Sequence, residues 1–436
     1  MKISFSFFIS LLLLGYHVAE AQIRQGYIIY ENGNQTEARG RVTGEVLATN
    51  ADASGVFQAV MDQLKTQGGG KVEIESGTFV IEQPIRVFSN TEVVGSGKST
   101  VLTLGTSNAR QSGVIFQVSD QDRVTLADVR CHGAASNDSS SAILLERTSF
   151  ATVRNVYAAD FSGYGFWLKD DSFACKFENN YTTGNDQAGT MIQGTQHGKT
   201  RGGRFVPNKI IGCYSYAEDG HGFEFYRAIC QDIVSSVVYL AKGHGIYMRE
   251  STSNLISGNR IFMGQKDGIL IEDTYEMNIS SNICGWNWGD NLTLNHCVWG
   301  TVSANEFIDA GGREREGYGI YLKRGTKAMQ ISGNAIFNWW DNKALTTGIY
   351  EGEDCLENQI TDNVINYYKK SDVESLGKNS VASNNLGLPH PYGWPALGVD
   401  VPNVKPEDIK LNLHINESRK LAEDYLEAVK AAIDEN

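Results

Sequence analysis

Gly222-Phe-Glu-Phe-Tyr226, Gly245-Ile-Tyr-Met-Arg249, Gly268-Ile-Leu-Ile-Glu272 and Asn291-Leu-Thr-Leu-Asn295 repeat one pattern at a spacing of 23 residues. Gly319-Ile-Tyr-Leu-Lys323 and Gly348-Ile-Tyr-Glu-Gly352 continue it after intervals of 28 and 29. The alternation within each block has the period of a strand rather than a helix. A second series keeps the same beat through Ser236, Asn259, Asn282, Asn305, Asn334 and Asn363, each asparagine closing an Ile/Val-Ser/Thr-x-Asn tetrapeptide. Two series in phase predict stacked coils, and 23 residues hold about three short strands with their corners. The fold class is therefore all-β, a single-stranded parallel β-helix whose apolar columns form one continuous core. Asparagines at the corners are expected to bond to their counterparts one coil above and below.

Less regular blocks (Gly113-Val-Ile-Phe-Gln117, Ala142-Ile-Leu-Leu-Glu146, Gly165-Phe-Trp-Leu-Lys169, Gly189-Thr-Met-Ile-Gln193) extend the solenoid upstream, giving boundaries of 70–387. In the segment 22–69, Val56, Phe57, Val60, Met61 and Leu64 share one helical face, as expected of a helix covering the open first coil. An extended stretch, 388–415, holds five of the seven prolines, and residues 416–436 begin at a capping asparagine and carry an apolar stripe through Leu421, Tyr425, Val429 and Ile433. That C-terminal helix is expected against the outside or far end of the solenoid. At the other end, residues 1–21 place one lysine before a mainly apolar run from Ile3 to Leu14 and finish on Ala19-Glu-Ala21, the form of a cleaved secretory signal. The run is about twelve residues against the roughly twenty needed to span a bilayer, so no membrane span is predicted and the mature protein is expected to be secreted or periplasmic.

Of 436 residues 20% are charged, too few for a disordered chain, and the net charge of −13 disfavours nucleic acid and anionic lipid as partners. Gly95-Ser-Gly-Lys-Ser99 looks like a phosphate loop, but Glu92 stands where that motif requires glycine. Seven cysteines without a CxxC pair read as core residues, and they offer no zinc spacing.

Phe57-Gln-Ala59, followed by Gly68-Gly-Gly-Lys-Val-Glu-Ile-Glu-Ser-Gly-Thr-Phe79, resembles the opening segment of the pectate-lyase-like superfamily, which includes polygalacturonases, rhamnogalacturonases and alginate C5 epimerases. The resemblance covers roughly residues 50 to 385 and implies a right-handed β-helix acting on a polysaccharide. Ser162-Gly-Tyr-Gly-Phe166 with Phe177-Glu-Asn-Asn180 is similar to the epimerase block in which a tyrosine and a following Asp-Pro-His are catalytic. Tyr164 matches that tyrosine, while Trp167-Leu168-Lys169 occupies the place of Asp-Pro-His. Gly220-His-Gly222 and Gly243-His-Gly245 are similar to the Gly-His-Gly of polygalacturonases, without the paired aspartates or Arg-Ile-Lys of that family, and the pectate lyase Arg-x-x-Arg-x-Pro is absent.

Aligning the repeats gives columns on the outer face of the first strand of each coil, the face that lines the cleft in this superfamily. One runs Tyr164, His221, His244, Asp267, Asp290 and Tyr318; another runs Lys169, Gln193, Tyr226, Arg249, Glu272, Asn295 and Lys323; between them lie Glu224, Tyr247, Leu270 and Thr293. For a uronate polymer the hard step is removal of the C5 proton, which needs a neutralised carboxylate and a base. Arg249 and Lys169 are the candidate cations, and His221, His244 and Tyr164 the candidate bases. Elimination then gives a lyase and reprotonation an epimerase. A polygalacturonase-like hydrolase would instead use Asp267 and Asp290 as acid and base, and a non-catalytic glycan-binding or structural solenoid would leave the same columns as a solvated face. Substrate contacts are expected from Tyr226 and Tyr247, from Lys199, Arg201 and Arg204 in a loop that also holds His197, and from Trp286 and Trp288, with Trp339 and Trp340 in a later corner. Asp267, Glu272 and Asp290 could gather oxygen ligands for calcium, although no loop motif specifies it.

Overall fold

The structure, a computed structural model, describes residues 26–110, 113–134, 139–195, 206–311, 317–338 and 345–388. The chain divides into two compact units, 1–390 and 391–436, and every described residue belongs to the first. The predicted signal segment, the loop from His197 to Arg204 with its three proposed substrate cations, Trp339, Trp340, and the extended segment and helix after Leu388 lie outside the described residues.

Each coil gives one strand to each of three sheets, here called A, B and C, with 16, 13 and 12 strands. In one coil His221–Tyr226 lies in sheet C, Gln231–Val234 in sheet A and Val237–Tyr239 in sheet B, after which Ile246–Arg249 returns to sheet C. Phe223, Ile246, Ile269, Leu292 and Ile320 are in parallel register and almost fully buried, so the 23-residue period of the sequence is one coil. The glycine opening each block is required by close approach. A Cβ on Gly222 would sit 2.5 Å from the carbonyl oxygen of Gly245, and one on Gly245 would sit 2.6 Å from that of Gly268. Asn291 takes the same place one coil further on, with its buried amide donating to the Ile308 carbonyl at 3.0 Å.

The corner asparagines form the expected ladder. Asn259 donates from both its backbone N and its Nδ2 to Asn282 Oδ1, at 3.0 Å each, and Asn282, Asn305, Asn334 and Asn363 repeat the arrangement. Each Nδ2 also donates to a main-chain carbonyl in the preceding coil, which satisfies groups that would otherwise be stranded in the core.

The predicted N-terminal helix, α1, spans Ala53–Thr66 with Asp52 as its cap, and Val56, Phe57, Val60, Met61 and Leu64 are buried against the first coil. Ahead of it, Gly26–Asn32, Gln35–Gly40 and Val46–Asn50 form an antiparallel meander that joins sheet A through the parallel pairing of Gly26–Asn32 with Gly70–Ile74, a feature the sequence reading did not foresee. The cysteines carry no disulfide, and six of the seven are buried as core residues. Among the described residues no helix is long and apolar enough to cross a membrane.

Candidate active site

The outer face of sheet C carries the three columns that the repeat alignment placed there. Register pairs Leu144, Trp167, Met191, Glu224, Tyr247, Leu270 and Thr293 in the middle column, and Glu146, Lys169, Gln193, Tyr226, Arg249, Glu272 and Asn295 in the column nearest the turn into sheet A. Tyr164 and His221 share the remaining column with Ala188 between them, so they stand two coils, roughly 10 Å, apart. Ala188 contributes only a methyl group there and is fully buried.

Below His221 this column is a ladder of side chains clamping the next coil. His221 Nδ1 accepts from the backbone N of His244 at 3.0 Å, and His244 Nδ1 accepts from the backbone N of Asp267 at 3.2 Å. Asp267 Oδ1 accepts from Asp290 N, and Asp290 Oδ1 accepts from Tyr318 N, both at 2.9 Å. Two consequences correct the sequence-based roles. An imidazole whose Nδ1 lone pair holds a backbone amide carries its proton on Nε2, and is therefore a hydrogen-bond donor to anything in the groove, not a base. Burial lowers both rings accordingly, His221 to about 3 with help from the neighbouring His244 and Lys266, and His244 to about 4. Asp267 and Asp290 likewise each commit Oδ1 to a backbone amide and lie almost fully buried, which argues against the free, solvent-facing acid–base pair of the hydrolase alternative.

Around Arg249 the groups converge differently. Its guanidinium lies 4.1 Å from the centre of the Tyr226 ring and 5.8 Å from that of Tyr247, while its Nη2 is 4.0 Å from Glu224 Oε1. Arg249 Nε is buried and has no hydrogen-bond partner among the described residues. Tyr247 packs on both imidazoles and donates to Glu272 Oε2 at 2.8 Å, so the two tyrosines fix the arginine rather than offer free faces. Glu224 makes no hydrogen bond among the described residues; only 12% of its side chain is exposed, and burial raises its carboxyl, against the pull of Arg249. The sequence reading put Glu224 in the middle column but gave it no role. Its signal was the one acid in a column of otherwise uncharged residues. Tyr164 senses the same two charges: burial and Glu224 lift its phenol to about 12, with Arg249 opposing.

Lys169 is brought to the same face but is already neutralised, 3.0 Å from Glu146 and lying over Trp167. Trp286 is not in this groove. It closes the aromatic row on the outside of sheet B, tilted against Phe262 at 5.3 Å, and its Nε1 donates to Asp309 Oδ2. Trp288 is exposed at the corner leading into sheet C. Asp267, Glu272 and Asp290 do not converge on a calcium site: the aspartates clamp backbone amides, Glu272 accepts from Tyr247 and Asn295, and no group of three or more metal-ligating side chains occurs among the described residues.

A family profile described as a right handed beta helix region matches residues 141–336 and 231–386, together more than half of the chain. The chain belongs to this right-handed β-helix family. No curated protein matches at the sequence level. Among solved structures, the β-helix is similar to the A-module of the mannuronan C-5 epimerase AlgE6 of Azotobacter vinelandii, with a TM-score of 0.69 and 17% identity over 78% of this chain and 96% of that one. It is also similar to the N-terminal fragment of gene product 12 of bacteriophage phi29 (TM-score 0.63, 14% identity, 77% of this chain and 64% of that one). A third is DFA-IIIase of Arthrobacter chlorophenolicus, solved without its lid (0.58, 12%, 74% and 95%). At these identities the likeness establishes the right-handed β-helix fold and nothing finer.

Proposed function

We propose that this β-helix is a polysaccharide-active enzyme that abstracts the C5 proton of a uronate in the groove on sheet C, with β-elimination as the outcome. Glu224 carries the reading: a largely buried carboxylate, raised in basicity and without a hydrogen bond among the described residues, beside a guanidinium whose Nε is likewise unpartnered among them. Arg249 would hold the substrate carboxylate and stabilise the charge that develops on it. Glu224 would take the C5 proton, the electron pair would move toward the carboxyl group, and breaking the bond to the O4 leaving group would create the double bond. Tyr164, protonated at neutral pH, and His221 through its Nε2 hydrogen are donors suited to the departing oxygen. Delivery of the proton from Tyr164 back to C5 on the other face would give the epimerase outcome, the activity named for the Azotobacter module.

The test is incubation with alginate, polygalacturonate and a neutral glucan in deuterated buffer, following ultraviolet absorbance of unsaturated uronate, reducing ends, and deuterium at C5. Absorbance marks elimination; deuterium without absorbance marks epimerisation, which retains the proton-abstraction site. Reducing ends without either would replace the proposal with hydrolysis, and binding without any product would leave a glycan-binding solenoid.

A further inference from the structure

Away from the groove, where the chain turns from sheet C into sheet A, a pocket of about 540 Å³ is lined by residues of four successive coils, among them Tyr275, His296, Trp299, Arg324, Lys327 and Asp354. Its size falls within the roughly 300–1,000 Å³ of small-molecule sites. We propose that it is an accessory subsite for an acidic saccharide, holding a stretch of the same uronate polymer that the groove acts on; it therefore rests on the glycan reading above.

Three observations point to this ligand chemistry. Trp299 and Tyr275 are 60% and 46% exposed, so two large aromatic side chains face solvent within this one pocket. The tyrosines on the outside of sheet B show the contrast. Tyr157, Tyr181 and Tyr214 stack face to face at 5.0 and 5.3 Å, so their faces are used up by one another. Trp299 has no aromatic or cationic partner among the described residues, and its counterpart one coil on is only Ala328, so an indole face is open to a sugar ring. Second, Arg324 and Lys327 have no ion-pair partner among the described residues, although the chain as a whole carries −13. Two unpaired cations beside an aromatic face suit a ring bearing a carboxylate, while Asp354 can accept from its hydroxyls. Third, the pocket adjoins the groove. His296 directly follows Asn295 of the outer column, and Arg324 follows Lys323. The coil of Arg324 lies three coil steps beyond that of Arg249, roughly 15 Å along the solenoid, so a polymer can reach both sites and a disaccharide cannot.

Trp299→Ala is a clean probe, because Trp299 sits at a left-handed backbone position that Ala328 occupies one coil on, so alanine keeps the turn. Calorimetric binding of an alginate polymer and of its disaccharide would be measured for the native protein, Trp299→Ala, the double variant Arg324→Gln/Lys327→Gln, and Arg249→Ala, with circular dichroism confirming each fold. Trp299→Ala should weaken polymer binding about tenfold and leave disaccharide binding in the groove unchanged. The double variant should flatten the salt dependence of polymer binding. Unchanged polymer affinity in both pocket variants, with Arg249→Ala impaired, overturns the subsite and spares the groove. Equal losses for disaccharide and polymer in Trp299→Ala also overturn it. If Arg249→Ala binds as the native protein does, the groove reading has failed as well, and the pocket as its accessory fails with it.

Discussion

Replacing His244 by asparagine and by alanine separates a structural imidazole from a chemical one. In the native protein His244 Nδ1 holds the backbone N–H of Asp267 at 3.2 Å, and the ring stacks on His221 at 5.4 Å and packs on Tyr247 at 5.5 Å. Alanine leaves a buried donor without an acceptor, worth ~1–3 kcal/mol, and removes the ring contacts, worth about 1 kcal/mol more. The expected loss is therefore about 2–4 kcal/mol. Asparagine Oδ1 branches from the same carbon as Nδ1 and stands where Asp267 and Asp290 already place a carboxylate oxygen for the same purpose in the following coils. His244→Asn should then cost only about 1 kcal/mol, the packing part. Urea denaturation midpoints should fall in the order native, Asn, Ala, and turnover of His244→Asn on a uronate polymer should stay within about tenfold of native. If His244 were the base, both variants would lose about a hundredfold or more. A stable His244→Asn protein with that loss would refute the assignment, as would an asparagine variant no more stable than the alanine one.

The groove makes a second prediction: Glu224→Gln should lower kcat about a hundredfold or more with KM little changed, whereas Arg249→Ala should lower kcat and raise KM together; steady-state kinetics on polyuronate checks both. Acid stability follows from the depressed imidazoles. Between about pH 6.5 and 4 the unfolded chain takes up protons that folded His221 and His244 refuse, so stability is lost as pH falls through that window, at most ~1.4 kcal/mol per pH unit for each ring. Glu218, raised by burial to about 7, acts with the opposite sign, so the informative quantity is the difference between native protein and His221→Asn/His244→Asn, which should move in the variant's favour on acidification; a pH-independent difference would count against it. In the asparagine ladder, Asn305→Leu strands the Asn282 N–H and the Ile279 carbonyl, each costing ~1–3 kcal/mol, and should lower the urea midpoint well below that of a surface substitution.

The coil period was legible because two kinds of residue mark it independently: a small residue wherever the next coil's carbonyl approaches too closely for a Cβ, and an asparagine wherever a buried corner needs both a donor and an acceptor. Helix α1 was legible from its apolar face for the same physical reason. The corners were harder to read. One corner series with positive φ runs Leu240, Met263, Trp286 and Asp309, and another runs Arg227, Glu250, Asp273, His296 and Arg324. Side chains this varied give no turn signal, because the conformation is imposed by coil-to-coil hydrogen bonding, as when Glu250 N donates to the Glu272 carbonyl and Asp273 N to that of Asn295. The N-terminal hairpin likewise has no counterpart in the repeat that revealed the other strands.

For the candidate site, the sequence told which residues share a column but not which atoms of them remain available. A histidine or aspartate beside the small residue of each block is the pattern expected of chemistry, and in a parallel β-helix it is also the pattern of a clamp, since a Nδ1 or Oδ1 at that position lies within reach of the next coil's amide. The two uses are separated only by where the lone pairs go. Along His221, His244, Asp267 and Asp290 a lone pair of each goes to backbone, whereas Glu224, three residues along the same strand from His221, has none committed to a hydrogen bond among the described residues. On the proposed reading, chemistry in this groove belongs to the residue that the coil-to-coil ladder leaves unused, and the histidines beside it would hold the coils in register and present Nε2 hydrogens to a substrate.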